Sequence, residues 1–322
     1  MEEKKLSVII PCFNGFRYMG RCLEAFESQT NHDFELLIVD DGSSDDTYGR
    51  LIDYQNKSDL QITVIRNDKN YGPGKSRRIA ADYCKGKYVG FCDCDDWVDR
   101  AYVKEVVEEL EKEAADLCMF NNYRVNDNKF TVDDVITKLA GAGSRREILA
   151  YAPMSLCRTV VLKALLNQVT FYDLYYGEDG MVLLQLLIKA KHPIFCKKPY
   201  YYYYMRESAA HARPSKRSFY DAVEGYSVLK LHMEAEYRDE LVFTGIKNLI
   251  YAGTLQAFKA GISRREILAS VEKFRKENPR YINNKYFASL NRIKAVYIRM
   301  VYYRCFLICR VMAYFHSYIM GK

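Results

Sequence analysis

Five short apolar runs alternate with helix-length segments in the first 120 residues, and this alternation constrains the fold more than any other feature. The runs predict strands at 6–10, 35–39, 61–65, 88–92 and 116–120. The segments between them predict helices at 16–29, 44–54, 76–84 and 99–115. Nearly continuous apolar strands are typical of parallel sheets covered on both faces. The pattern therefore predicts an α/β fold with a doubly wound, mainly parallel sheet and helices on both faces.

The later part of the chain has a looser pattern. Helices are predicted at 131–140 and 178–190, a strand at 200–204, and a largely helical region from 219 with a break near Pro279. Two copies of Ser-Arg-Arg-Glu-Ile-Leu-Ala begin at Ser144 and Ser263. The Ser–Glu spacing is that of a capping box, so each copy predicts a separate helix start.

The net charge of +7 is concentrated near the end of the chain. Residues 278–322 hold eight Lys or Arg and no Asp or Glu, so the preceding 277 residues sum to −1. A body of this charge does not indicate a nucleic-acid-binding protein. Acidic residues and a five-residue apolar run open the chain, so we expect no secretory signal. The ten cysteines are then expected to be reduced thiols of a cytoplasmic protein.

Three carboxylates follow the fourth predicted strand, at Asp93, Asp95 and Asp96. On an extended segment Asp93 and Asp95 point to the same side and can face one ion. Hard oxygen ligands favour Mg²⁺ or Mn²⁺, and such an ion commonly bridges a diphosphate. The alternative is a solvated acidic turn before the next helix. The position directly after an apolar strand favours the metal site.

Acidic residues also follow the second predicted strand, at Asp40 and Asp41. Parallel sheets bind ligands beyond the carboxyl ends of their strands, where an acid can accept hydrogen bonds from a base or a ribose. The alternative is a turn with a helix cap, since Gly-Ser-Ser follows. We expect both roles, with Asp41 as the more exposed acid.

A glycine-rich, basic segment follows the third predicted strand. It contains Asn67, Gly72, Lys75 and Arg77, and its cations lie at a helix N-terminus, which suits phosphate. A solvated basic face is the alternative. The segment is neither a dinucleotide-binding glycine pattern nor a P-loop.

The remaining candidates are less specific. Glu178 and Asp179 open a predicted helix, where they are either a general base or complements of the helix dipole. His211 is either a further metal ligand or an ordinary histidine. Cys92 and Cys94 have metal-site spacing but no partners nearby in the sequence, so they are interpreted as buried thiols.

In order and interval, these motifs resemble family 2 glycosyltransferases of the GT-A fold, of the bacterial surface-polysaccharide type. The resemblance covers about residues 5–212. The matching motifs are Ser7-Val-Ile-Ile-Pro-Cys-Phe-Asn14, Gln29-Thr30, Phe34-Glu-Leu-Leu-Ile-Val-Asp-Asp-Gly-Ser-Ser-Asp45, Asn70-x-Gly72 with Arg77, Gly86-Lys-Tyr-Val-Gly-Phe-Cys-Asp-Cys-Asp-Asp-Trp97 and Gly177-Glu-Asp179.

The resemblance implies an inverting transfer from a nucleotide-diphosphate sugar, usually a UDP-sugar. It implies that Asp179 is the general base with Glu178 beside it. It further implies an Mn²⁺ or Mg²⁺ ion held by Asp93, Asp95 and Asp96, with His211 as a further ligand. It places Pro11, Phe13, Asn14 and Asp41 around the base and ribose, and Arg77 near the donor. With the candidates at the strand ends, the predicted donor-binding residues are Pro11, Phe13, Asn14, Asp40, Asp41, Asn67, Gly72, Lys75, Arg77, Asp93 and Cys94. Arg78 departs from the asparagine that is common at this position.

The basic tail is predicted to lie on a membrane. On one ideal helix, Arg292, Arg299 and Arg310 fall within about 20° of one another. The uncharged run 311–321 is too short to span a bilayer, so an amphipathic helix on anionic lipid is predicted. The alternative is a helix packed on the catalytic domain or on a second subunit, and a homo-oligomer stays open.

We therefore predict a nucleotide-sugar glycosyltransferase domain at 1–212 and a helical region at 213–322 that ends in the membrane-leaning helix. The expected activity is sugar transfer to a glycan or lipid-linked hydroxyl in surface-polysaccharide synthesis, at the inner face of the cell membrane. The first alternative is a non-catalytic nucleotide-sugar-binding or scaffold subunit, which would need neither metal site nor base. The second is a nucleotidyltransferase, which would carry a glycine-rich basic loop after the first strand.

Overall fold

The computed structural model describes residues 4–127, 129–205 and 215–315. The chain forms two compact units. The first comprises Met1–Asp173 and Glu178–Arg206, and the second comprises Leu174–Gly177 and Glu207–Lys322.

A nine-stranded sheet forms the centre of the first unit. Its strands are β1 (Leu6–Cys12), β2 (Phe34–Asp40), β3 (Ile62–Arg66), β4 (Tyr88–Phe91), β5 (Trp97–Val98), β6 (Leu117–Asn126), β7 (Lys129–Asp133), β8 (Thr159–Leu162) and β9 (Pro193–Tyr204). Their order is β3-β2-β1-β4-β8-β6-β9-β5, with β7 paired to β6. Every residue of β1 and β2 is buried, as expected for a sheet covered on both faces.

The sheet is mixed in its second half. Strands β3, β2, β1 and β4 are parallel, as predicted, but β8 lies antiparallel between β4 and β6. The predicted helix at 131–140 is wrong in its first part, where residues 129–133 form β7. Phe130, Thr131 and Val132 favour a strand, and they pair antiparallel with β6.

Helices surround this sheet and make up most of the second unit. The first unit contains α1 (Gly20–Glu27), α2 (Thr47–Lys57), α3 (Pro73–Ala81), α4 (Tyr102–Lys112), α5 (Val135–Ala140), α6 (Arg145–Tyr151), α7 (Lys163–Leu166) and α8 (Glu178–Lys189). The second contains α9 (Lys216–Met233), α10 (Arg238–Gly245), a π-helical stretch (Ile246–Gly253), α11 (Thr254–Lys259), α12 (Arg264–Glu277), α13 (Arg292–Tyr302) and α14 (Phe306–Tyr314).

Both predicted serine caps are present. Ser144 accepts a hydrogen bond from the backbone N–H of Glu147 at the start of α6. Ser263 does the same for Glu266, which reaches back to complete a capping box at the start of α12. The two copies of the repeat thus begin two separate helices, as predicted.

The tail differs from the single amphipathic helix that was predicted. Two short helices, α13 and α14, are separated at Arg304, whose φ of 60° is left-handed. This break removes the common helical phase of Arg292, Arg299 and Arg310. Across the described residues, no helix is both long enough and apolar enough for a transmembrane span.

A buried carboxylate at the amino ends of the strands stabilises the sheet. Glu35 of β2 accepts hydrogen bonds from the Ser7 hydroxyl at 2.7 Å and from the Lys85 backbone N–H at 2.6 Å. Gln61 donates a third at 3.2 Å. Glu35 therefore fastens the connection that leads into β4, the strand that ends just before Asp93.

We predict that Glu35→Ala lowers the free energy of unfolding by about 2–3 kcal/mol, because it leaves buried donors without their charged acceptor. The measurement is urea denaturation followed by circular dichroism. Glu111→Ala is the matched control, since its ion pair with Lys5 is partly exposed and should contribute less than about 1 kcal/mol. Equal losses in the two variants would contradict this assignment.

Candidate active site

The carboxyl ends of β1, β2, β3 and β4 lie along one edge of the sheet, because these strands are parallel and in register. The predicted polar residues follow these ends. Two clusters form there: an ion-pair network around Arg77, and a hydrogen-bonded loop system around Asp41.

Arg77 lies at the centre of the ion-pair network. Its side chain is 2% exposed, and Nη2 donates to Asp93 Oδ1 at 2.7 Å. Nη1 donates to Asp179 Oδ1 at 2.6 Å and lies 3.4 Å from Glu178 Oε1. The structure thus brings the first acid of the D-x-D segment and the predicted base to the same guanidinium, although they lie 86 positions apart in the sequence.

The two acids that open α8 are largely buried. The pKa of Glu178 is raised to about 8, first by burial and then by the charge of Asp179, while Arg77 opposes the shift. Burial also raises the pKa of Asp179, against the opposing effect of Arg77. A carboxylate with a raised pKa is a better proton acceptor near neutral pH than an exposed one.

Two glycines allow α3 to approach this network. Gly72 has a φ of 88°, which only glycine adopts without strain, and it caps the start of α3. At Gly74, a Cβ atom would lie 2.7 Å from Glu178 Cγ. A larger residue at Gly74 would therefore displace Glu178 from Arg77.

Asp41 is buried, and at 3% exposed against 0% for Asp40 it is only marginally the more exposed of the two acids. Its side chain accepts hydrogen bonds from Asn67 Nδ2 at 2.7 Å and from the backbone N–H groups of Tyr71 and Gly72 at 3.0 and 2.7 Å. Asp40 is also buried, and it accepts a hydrogen bond from the Ser43 N–H at 3.3 Å. Both acids therefore organise loops at the edge of the sheet.

Asn14 joins the loops after β1 and β2. It has a φ of 48°, and its Oδ1 accepts a hydrogen bond from the Ser44 N–H at 2.9 Å. Its own N–H donates to the Ser43 hydroxyl at 2.9 Å. Pro11 is buried within β1, whereas the Phe13 ring is exposed beside Asn14.

An open cleft of about 330 Å³ lies between the loops after β2 and β3. Its lining residues are Gly42, Ser43, Arg66, Asn67 and Asp68. Next to it, the Lys75 ammonium lies 3.6 Å from the centre of the Tyr71 ring. The cleft is thus lined mainly by polar side chains, and Arg66 is the cation among them.

The three acids of the D-x-D segment have different surroundings. Asp96 is 1% exposed, and its two oxygens accept hydrogen bonds from the Tyr201 hydroxyl at 2.6 Å and the Tyr204 N–H at 2.7 Å. Its pKa is raised by burial and by the charges of Asp93 and Asp95. This corrects the prediction of Asp96 as a metal ligand, because both oxygens are already bound within the protein.

The donor set that is left for a metal ion consists of Asp93 and Asp95. Within the described ranges, no group of three or more His, Cys, Asp or Glu could hold a metal ion. His211, the other predicted ligand, lies outside the described residues. Two carboxylates nevertheless fit Mg²⁺ or Mn²⁺, since such ions take their remaining ligands from water and substrate phosphates.

The thiols near the site are partly as predicted. Cys92 is buried, with its sulfur 3.9 Å from that of Cys22. Cys94 is only half-buried, because it lies at the turn between Asp93 and Asp95, where its sulfur and that of Cys12 flank Gly15.

Three residues that the sequence did not single out support the network. The Tyr201 hydroxyl binds Asp96 and also accepts a hydrogen bond from the Asp93 N–H at 3.1 Å. Asp179 Oδ2 accepts a hydrogen bond from the Leu156 N–H at 3.3 Å, and the Cys157 sulfur lies 4.0 Å from Arg77 Nη2. Tyr201 belongs to a run of five tyrosines, and strand alternation does not single it out, because Tyr200 and Tyr201 are both buried.

Comparison with known proteins identifies the family of the segment that carries the site. Residues 7–157 match the model of glycosyl transferase family 2. The chain is 27% identical over 255 residues to poly(ribitol-phosphate) β-N-acetylglucosaminyltransferase TarS of Staphylococcus aureus, which covers 74% of this chain and 43% of that protein. The chain thus spans less than half the length of this curated relative.

Solved structures share the fold. S. aureus TarS 1–349 in complex with UDP-GlcNAc has a TM-score of 0.67 at 20% identity, over 93% of this chain and 92% of that one. Mannosyltransferase PcManGT from Pyrobaculum calidifontis, in complex with GDP-Man and Mn²⁺, has a TM-score of 0.58 at 14% identity, over 97% and 85%. The predicted GT-A fold is confirmed. The segment that carries Asp41, Arg77 and Asp93 belongs to glycosyl transferase family 2, as the motifs predicted.

Proposed function

We propose that the chain is an inverting glycosyltransferase that moves a sugar from a UDP-sugar to a hydroxyl of a glycan or lipid-linked acceptor in surface-polysaccharide synthesis. The observation that carries the proposal is the Arg77 network, which holds Asp93 and Asp179 on one guanidinium. A non-catalytic subunit would gain little from one buried cation that holds three acids, two of them largely buried, since burying charges is costly.

The donor is proposed to bind along the edge formed by the loops after β1, β2 and β3. Asp41 holds the loop of Asn67 and Gly72 in place, so that the polar cleft has a fixed shape. The exposed ring of Phe13 offers a surface for a base. The TarS structure in complex with UDP-GlcNAc supports the choice of a UDP-sugar.

Asp93 and Asp95 are proposed to hold a Mn²⁺ or Mg²⁺ ion. When bound, the ion supplies positive charge that stabilises the diphosphate leaving group. Arg77 keeps Asp93 oriented through the bond to Oδ1. The PcManGT complex, which contains GDP-Man together with Mn²⁺, supports this proposal.

Asp179 is proposed to be the general base. It would accept the proton of the acceptor hydroxyl as the hydroxyl oxygen bonds to the anomeric carbon and the bond from that carbon to the diphosphate oxygen breaks. Attack opposite the leaving group inverts the anomeric centre. Arg77 and the Leu156 N–H orient the carboxylate, and burial makes it more basic.

The tail is proposed to hold the protein on the anionic inner face of the cell membrane. On α14, Leu307, Ile308 and Val311 are exposed together, and a group of large exposed apolar side chains is typical of an interaction surface. Arg304 precedes them and Arg310 lies among them, so cations accompany the apolar face. The ten free thiols fit a reducing compartment.

We predict that Asp179→Asn retains UDP-sugar binding but lowers the transfer rate by roughly 10²–10⁴-fold, because an amide cannot accept the proton. Binding is measured by calorimetry and transfer by release of UDP. Asp82→Asn, which removes a carboxylate from an exposed ion pair with Arg78, is the control and should change neither quantity. Normal turnover of the Asp179 variant would remove it as the base.

We predict that Asp95→Ala abolishes the increase in donor affinity that Mn²⁺ produces. Calorimetric titrations with a panel of UDP-, GDP-, CMP- and TDP-sugars, in Mn²⁺ and then in EDTA, test the metal and name the nucleotide. Asp82→Asn again serves as the control. A metal-dependent affinity that survives in the Asp95 variant would refute the metal assignment.

Exchanging apolar residues of α14 for acids should release the protein from membranes. We expect Leu307→Glu combined with Val311→Glu to abolish flotation with vesicles that contain anionic lipid, because the acids remove apolar contact and add repulsion. Leu231→Glu on α9 is the matched control, since Leu231 and Leu307 are 77% and 79% exposed. Flotation of the double variant would overturn the membrane proposal.

A further inference from the structure

A second concave surface lies in the first unit and has no role in the proposed reaction. It encloses about 650 Å³, nearly twice the volume of the cleft beside Asp41. We call it the aromatic groove, and its principal lining residues are Arg21, Glu24, Trp97, Asp127, Phe130 and Tyr202. These residues come from α1, the turn after β6, and strands β5, β7 and β9.

A row of aromatic rings extends across three neighbouring strands of this groove. Trp97 pairs with Tyr202, and their ring centres lie 5.3 Å apart with planes 6° apart. Tyr202 in turn pairs with Tyr123 at 4.9 Å and 20°. Phe130 meets Tyr202 edge-on at 6.1 Å and is itself 53% exposed. Each ring is braced by the next, which makes the row a rigid apolar platform. Stacking covers the faces of Tyr202, so the open ring of this platform is that of Phe130.

Polar and charged side chains surround this platform. The Arg21 guanidinium lies 5.0 Å from the centre of the Trp97 ring and 4.5 Å from that of Tyr204. The two lining cations are Arg21 and Arg100, and the three lining carboxylates are Glu24, Asp99 and Asp127. The charges nearly balance, with a slight negative excess, so the groove does not favour a polyanion such as a polyol-phosphate chain.

The chemistry of the groove points to a neutral sugar chain. Pyranose rings have flat C–H faces that pack on aromatic rings, and hydroxyls at their edges that bond to carboxylates and guanidinium groups. An aromatic platform rimmed by both kinds of charge meets both requirements. We infer that the aromatic groove binds neutral pyranose units of the acceptor chain, an inference that rests on the proposed glycosyltransfer.

The groove is connected to the proposed metal site through the backbone. Trp97 follows Asp95 and Asp96 directly, and Asp96 holds Tyr201 and Tyr204 on the strand that carries Tyr202. One anchored segment therefore positions both the metal-site acids and the aromatic row. The groove would hold a part of the acceptor that does not react, which makes its residues binding residues and not catalytic ones.

Trp97 is the only tryptophan of the chain, so its fluorescence reports on the groove alone. The full chain, without nucleotide or metal, is titrated with neutral β-1,4-linked GlcNAc and glucose oligomers of three to five units. The expected result is a saturable change in Trp97 emission for at least one series. An equal titration with poly(ribitol-phosphate) should give no saturable change.

Variants on one strand test whether the response belongs to the platform. Phe130→Ala should weaken oligosaccharide binding by about tenfold, because it removes an aromatic contact surface. Thr131→Ala is the matched control, since Thr131 is exposed on the opposite face of the same strand and does not line the groove. Glu24→Gln is a second variant on the opposite wall and should also weaken binding.

Any of three results would overturn the inference. No saturable response to either series, equal affinity in Phe130→Ala and the unchanged protein, or a response to poly(ribitol-phosphate) alone would each exclude a neutral-glycan groove. The proposed function fails separately. If the protein binds oligosaccharides at Trp97 but neither binds a nucleotide-sugar nor releases UDP, the proposed transferase activity is refuted and the groove inference stands.

Discussion

One buried guanidinium organises the proposed active site. Arg77 forms ion pairs with three carboxyl groups from two distant parts of the chain, and no other described cation pairs with any of them. Without it, Glu178 and Asp179 would be two buried acids at the start of one helix, and repulsion and desolvation would force them to take up protons or move apart. The short approach of α3 to α8 at Gly74 makes this arrangement possible.

Several acids that suggest substrate binding in the sequence are used by the protein itself. Asp41 closes the loop after β3, and Asp96 fastens the D-x-D segment to β9. Both are buried and accept hydrogen bonds from backbone groups, which keeps polar atoms satisfied at the edge of the sheet. Through these bonds they hold Asp93, Asn67 and Gly72 at fixed positions in the proposed site.

The strand and helix pattern of the first half could be predicted because local periodicity and burial agree there. β1, β2 and β4 are short apolar runs, and each is followed by polar residues at the predicted edge. The prediction of a helix failed at β7. This strand is largely exposed, so burial imposes no apolar pattern on its sequence. The prediction failed again at Arg304, where a left-handed residue divides the tail into two helices without a glycine or proline to mark the break.

The sequence by itself determined the α/β class, the family and the residue types at the strand ends, because these depend on local patterns and on motifs that stay in order. Only the tertiary structure decided which acids form ion pairs with Arg77 and which accept hydrogen bonds from backbone N–H groups. It also decided that Trp97, Tyr202 and Tyr123 form one row. Such choices depend on strand register and on contacts between residues 16 to 108 positions apart, where no local pattern carries information.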